Sequence, residues 1–256
     1  MTKSDQELAR YIAMSLIAVV IMLILYWTTA VGLLGDNPVG QGSNYTAPLI
    51  VPASYAFAIW SVIYLGVIIF PIYQWIRRKH GASEWKQLHL LFSVNVIFNG
   101  LWLVAASYDW QWITVGVIII LLITLYLMNT IIASRIQAGD PVNYWLERLP
   151  LSIYFAWITL ATALNFSSAL DFYNWSGFGI DETTWTLIII TVASSIAFLA
   201  YRRFQEVGYA AVVVWAFVAL CLRHQGEIPS IAGLSMVVVI LFAFLIIRGI
   251  RRQLSV

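Results

Sequence analysis

Four tryptophans of this chain, Trp60, Trp102, Trp157 and Trp215, lie inside long apolar stretches, and Asn95, Asn99, Asn129 and Asn165 share those stretches. An indole N–H or an amide in such a setting needs a partner that lipid cannot offer. Helical spacing arranges most of them into stripes. Phe57, Trp60 and Tyr64 follow i, i+3, i+7, and Asn95, Asn99 and Trp102 follow i, i+4, i+7. Tyr154, Trp157, Ala161 and Asn165 share a third stripe. Counted along the helices, Trp60, Asn99, Trp102, Ala161 and Asn165 fall in one half of the bilayer, with Tyr64 and Trp157 nearer its middle. If the three stripes face one another, they make an aromatic cavity with amide and indole donors. The same side chains also serve as glue between helices, and spacing alone leaves both readings open. Asn129 lies apart from the stripes and reads as packing.

Bond-making chemistry has no comparable constellation, and the chain reads as a non-enzyme. His80, His89 and His224 are scattered, with no cysteine or carboxylate at metal-ligand spacing, so no metal site is expected. His89, one turn into its stretch, reads as a satisfied or interfacial histidine rather than a haem ligand. All twelve Asp and Glu residues sit in loops or at helix ends, which speaks against an ion-coupled carrier. No lysine lies inside a stretch beyond Lys86 at the inner edge of the third, and the single cysteine, Cys221, excludes an intramolecular disulfide.

Eight apolar stretches position these residues: about 11–33, 53–76, 86–106, 111–134, 149–170, 185–201, 207–222 and 230–250. Mean hydropathy is +0.85 with 10% charged residues, the composition of a chain solvated by lipid. Each stretch approaches the ~20 residues a helix needs to cross ~30 Å of hydrocarbon. Runs such as 115–127 and 236–247 lack the alternation of barrel strands, so the fold class is an all-α polytopic helical bundle. The first stretch exceeds a secretory signal core and follows a leader with Asp5 and Glu7, so it reads as a retained helix.

Charge sets the threading. With the N-terminus inside, the inner segments hold 13 of the 14 basic residues and the outer loops only Arg223. Both termini are therefore expected in the cytoplasm. The seventh stretch is the shortest, and a snorkelling Arg223 would extend it. Trp75, Trp85, Trp110, Trp112, Trp145, Trp175 and Trp185 fit the headgroup level. The lipid bilayer is the expected partner, and without a basic arm nucleic acid is not.

The stripes also carry a resemblance. Tyr154-Phe-Ala156-Trp157-Ile-Thr-Leu-Ala161-Thr162-Ala-Leu164-Asn165 resembles the fifth-helix pattern P-Y-L-A-W-x-x-F-A-T-x-L-N of the TspO/MBR family, the tryptophan-rich sensory and translocator proteins. Asn99-Gly-Leu-Trp102 is similar to the third-helix L-N-x-x-W. Pro52 followed by Trp60 and Tyr64 is similar to the opening of the second helix. Ile153 and Ala58 stand where the family has proline, and the tyrosine and arginine of the sterol motif are missing after Asn165. Sterol binding is accordingly not carried over.

The resemblance covers about residues 10–170 and implies a five-helix bundle with an aromatic pocket for porphyrins or haem, commonly in a homodimer. It would place Trp60, Tyr64, Asn99, Trp102, Tyr154, Trp157, Ala161 and Asn165 at a ligand site. The division this suggests is a TspO/MBR-like bundle over 1–180 and an added three-helix segment over 181–256. The expected function is a sensor or binding protein for a hydrophobic, tetrapyrrole-like ligand, with no covalent cofactor, in the cytoplasmic membrane of a bacterium. The alternatives are an uncoupled transporter of such a ligand and a scaffold that binds nothing.

Overall fold

The computed structural model describes residues 3–37, 47–77 and 83–254. Arg78, Lys79 and His80 of the basic inner loop, with Pro38, Gly40 and Gly42 of the first outer loop, lie outside the described residues. Eight helices follow in order: α1 (Lys3–Ala30), α2 (Ile59–Arg77), α3 (Ser83–Ser107), α4 (Gln111–Gln137), α5 (Leu149–Phe172), α6 (Glu182–Phe204), α7 (Val207–His224) and α8 (Pro229–Leu254). Each is long and apolar enough to cross a membrane, and one corresponds to each stretch expected from the sequence. The chain is an integral membrane protein of all-α architecture.

The first helix differs from expectation at both ends. It starts in the polar leader, where Leu8 and Ile12 are buried and Glu7 pairs with Lys86 of α3. It stops at Ala30 because Gly32, at φ 73°, turns the chain left-handed. The Leu33 and Gly32 N–H groups then reach back to the carbonyls of Thr28 and Thr29, the paired bonds of a Schellman cap.

By contacts the chain forms two units, Met1–Tyr45 with Ser61–Leu151, and Thr46–Trp60 with Ser152–Val256. In the first, α3 is central, packed on α1 and on α4. Gly100 permits a close α1–α3 crossing, since a Cβ there would stand 2.7 Å from Leu25 Cδ1. Phe70 of α2 meets α3 at Phe92, with ring centroids 4.9 Å apart. Asn95 donates to Thr124 Oγ1 (2.7 Å) and the Leu121 carbonyl (3.1 Å), tying α3 to α4. Asn129 donates to the Leu125 and Leu151 carbonyls, a packing role. A wide turn, Tyr144–Arg148, leads into α5. Within it the buried Glu147 carboxylate accepts from the Gln74 amide and the Asn143 N–H.

The second unit is built on α7 and α8, with α6 against both. The Tyr201 hydroxyl donates to the Leu245 carbonyl at 2.9 Å, and the Phe155 ring meets Tyr209 and Phe204. Ahead of α6, the Trp185 indole N–H donates to the Gly177 carbonyl (2.7 Å), and Asp181 accepts from Thr184 as the helix cap. Among the tryptophans expected at headgroup level, Trp75, Trp110, Trp112, Trp145 and Trp175 are exposed and Trp185 is half-buried. Trp85 departs from the expectation: the first turn of α3 buries it completely.

Candidate ligand-binding site

The second unit contains a cavity whose walls come from four pieces of chain. Ile50 and Pro52 roof it from the strap that precedes the short 3-10 turn Ser54–Ala58. On α5 it is lined by Trp157, Leu160, Ala161, Ala163 and Leu164. Opposite stand Ala193 of α6 with Ala216, Phe217 and Leu220 of α7. Four alanines among these walls account for the space, because each leaves room that a larger side chain would fill. The enclosed volume is about 30 Å³, or about 410 Å³ with the interstices and open mouth included. The smaller figure is the room left for solvent-sized groups, above the ~10–15 Å³ that one water needs.

Trp157 is the polar exception on this surface. Its side chain is 2% exposed, and no acceptor among the described residues reaches its indole N–H. The ring is held edge-to-face by Phe57 at 5.7 Å and by Trp60 at 6.4 Å, and Trp60 also meets Tyr154 at 6.1 Å. The aromatic stripes of α2 and α5 thus meet in the second unit at Trp60, Tyr154 and Trp157. Asn165, two turns beyond Trp157 on α5, donates back to the Ala161 carbonyl at 2.9 Å.

The chain matches the family model of TSPO-like protein over residues 12–248, nearly its full length and all eight helices. It belongs to the TSPO-like family. No curated protein and no solved structure gives a significant match.

In this TSPO-like protein the eight residues expected at a ligand site divide between the units. Trp60, Tyr154, Trp157, Ala161 and Asn165 stand in the second unit, and the cavity takes Trp157 and Ala161 from them. Tyr64, Asn99 and Trp102 stand in the first. There the Tyr64 hydroxyl donates to Asn99 Oδ1 at 3.4 Å, and the Tyr26 ring closes edge-on at 5.5 Å. Asn99 is buried, whereas Trp102 and Tyr64 are half-buried. The first unit also hides a polar group read only partly from sequence. His89 is fully buried, with Nδ1 3.0 Å from the Ser15 hydroxyl and Nε2 without a partner.

Sequence reasoning missed most of the cavity wall. Leu160, Leu164, Ala193, Ala216, Phe217 and Leu220 are apolar residues in apolar spans, and nothing in their spacing sets them apart. Two residues of α7, one mid-helix and one at its end, did carry a signal. Trp215, an indole lacking an account in the sequence, donates to the Ala56 carbonyl at 3.0 Å and stacks edge-on with Tyr55. Arg223, the one basic residue of the loops expected outside, does not snorkel to lengthen α7. Its guanidinium turns onto the strap and donates to the carbonyls of Ala47, Pro48 and Val51.

Proposed function

We propose that this protein is a membrane-embedded binding protein for a flat hydrophobic ligand of tetrapyrrole type, acting as a sensor or regulator and not as an enzyme. One observation carries the reading: Trp157 lines an otherwise apolar cavity with a buried N–H that no group among the described residues accepts. An orphaned buried donor costs roughly 1–3 kcal/mol, and an acceptor on a ligand removes that cost. The Trp60 and Tyr154 rings beside it add π-faces of the kind a flat ligand stacks on. The family match and the fifth-helix motif point the same way.

Small-molecule sites commonly measure about 300–1,000 Å³, so a macrocycle needs this cavity wider than its enclosed 30 Å³. The wall that can yield without unpacking a helix is the strap. Both termini are assigned to the cytoplasm on the distribution of basic residues, which puts the strap on the opposite side. Uncoupled transport is the second reading, supported by the lack of carboxylates in the middle of any span.

The test is a titration of the protein in lipid nanodiscs with protoporphyrin IX, followed by tryptophan fluorescence with inner-filter correction. Saturable quenching in the micromolar range, weakened in Trp157→Phe and Trp60→Phe with unchanged melting, supports the reading. Asn99→Ala reports separately on the first unit. Quenching that never saturates and is equal in every variant means partitioning into lipid, and refutes it.

A further inference from the structure

The roof of the cavity is fastened mainly by one end of α7, with one further bond from the Leu49 N–H to the Glu182 carboxylate at the start of α6 (3.3 Å). The Arg223 guanidinium donates to the carbonyls of Pro48 at 3.0 Å, Ala47 at 3.2 Å and Val51. His224, 1% exposed, donates from Nε2 to the Leu49 carbonyl at 2.8 Å. The Ala53 N–H closes the row on the Ala219 carbonyl at 3.3 Å. Ile50 and Pro52, which face the cavity, are interleaved with these anchor points.

Arg223 is unusual in what it lacks. No carboxylate among the described residues lies within ion-pair distance of it, so neutral backbone carbonyls take its donors. A guanidinium offers five donors in a planar fork matched to a carboxylate, and a bond between two charged partners is roughly twice as strong as one between neutral groups. A ligand carboxylate therefore outcompetes the strap for the same fork. The geometry below favours an apolar body: Leu220 is one turn before Arg223 on α7 and Phe217 lies nearly two turns before it, and both line the cavity.

We propose that Arg223 is the docking residue for the carboxylate of an amphipathic ligand whose apolar body enters the Trp157 cavity, and that docking releases residues 47–53 from α7. This rests on the binding function proposed above and adds the ligand's charged group and its route of entry. The guanidinium thus has two mutually exclusive sets of acceptors. In one, the strap carbonyls hold it and the strap stays fastened over the cavity. In the complex the carboxylate holds it and the roof is free to lift.

Two measurements on the full chain in nanodiscs test this. The first compares protoporphyrin IX with its dimethyl ester, which keeps the macrocycle and loses the carboxylates. Wild type is expected to prefer the acid on the order of tenfold to a hundredfold, the range of a hydrogen bond to a charged group. Arg223→Gln should bring the ratio near one, and Arg223→Lys, which keeps the charge without the fork, should fall between. Melting curves check that each variant is folded. Equal acid-to-ester ratios in wild type and Arg223→Gln overturn the docking role while leaving the binding function intact. If neither probe saturates in any variant, the binding function falls and the docking role falls with it.

The second measurement needs no ligand. Cys221 is buried and lies one turn from both Phe217 and His224, on the face that meets the cavity and strap. A water-soluble maleimide is expected to alkylate it at least severalfold faster in Arg223→Gln than in wild type. Arg203→Gln, at the last turn of α6, serves as the control and should match wild type. An unchanged rate in Arg223→Gln overturns the release of the strap, whatever the porphyrin titrations give.

Discussion

Replacing Trp157 by phenylalanine separates a ligand site from a packing site, because the two predict opposite signs for stability. The substitution deletes about 40 Å³ of side chain, which at about 24 cal/mol per Å³ of residual cavity costs close to 1 kcal/mol. It also deletes a buried N–H with no acceptor, whose desolvation penalty is roughly 1–3 kcal/mol. The balance lies between no change and about 2 kcal/mol of stabilisation. Trp215→Phe is the internal comparison: its N–H donates to the Ala56 carbonyl, which keeps the Ile59 N–H as a second donor, so the change deletes one made hydrogen bond and costs about 0.5–1.5 kcal/mol. Unfolding in mixed micelles, followed by far-ultraviolet circular dichroism, ranks the three proteins. The expected order is Trp157→Phe at or above wild type, and Trp215→Phe below it. Affinity for protoporphyrin IX should move the other way in Trp157→Phe, falling about two- to tenfold for one lost neutral hydrogen bond. A Trp157→Phe protein destabilised by 2 kcal/mol or more, with unchanged affinity, would refute the argument and make Trp157 a packing residue.

Three further outcomes follow from the packing and the caps. Gly66→Ala should destabilise by about 1–3 kcal/mol in the same assay, since its Cβ would stand 2.8 Å from Pro150 Cβ, while Gly116→Ala, with nothing within 4 Å, should be neutral or slightly stabilising. Glu147→Leu should cost about 1–3 kcal/mol by orphaning the buried Gln74 amide, and Glu147→Gln, which keeps an acceptor, should cost less; parallel unfolding curves decide. The hydrogen bonds from the Thr184 hydroxyl and N–H hold the Asp181 carboxyl below its usual value of 3.8. Its capping contribution is thus present above that value and lost as pH falls through the lowered one, so acid should loosen the start of α6. Trp185 emission should shift to the red over that range in wild type and stay flat in Asp181→Asn, which caps without titrating.

The sequence alone determined the class of protein and the positions of its spans. Eight long, predominantly apolar runs can be satisfied in lipid only as helices, because every backbone group must find its partner within its own segment. That constraint is local, so the spans were legible to within a few residues. The exceptions were ends set by side-chain or turn geometry, such as the Gly32 cap and the helical polar leader of α1, anchored by the buried Leu8. The aromatic stripe was legible for a similar reason: Trp60, Tyr154 and Trp157 are polar-bearing rings in apolar surroundings, and helical periodicity aligns them.

The cavity was decided by tertiary structure. Ala193, Ala216 and Leu220 become a wall only because α6 and α7 return against α5, a contact between residues up to about 60 positions apart that hydropathy does not encode. Asn95 illustrates the converse: it shares a stripe with Asn99 by spacing, yet its amide is spent on Thr124 of α4. Arg223 stood out as the one positive charge in the outer loops, but its role depended on which acceptors came within reach. Charge pattern marks a residue as anomalous, whereas only the folded chain brings the carbonyls of 47, 48 and 51 to its guanidinium.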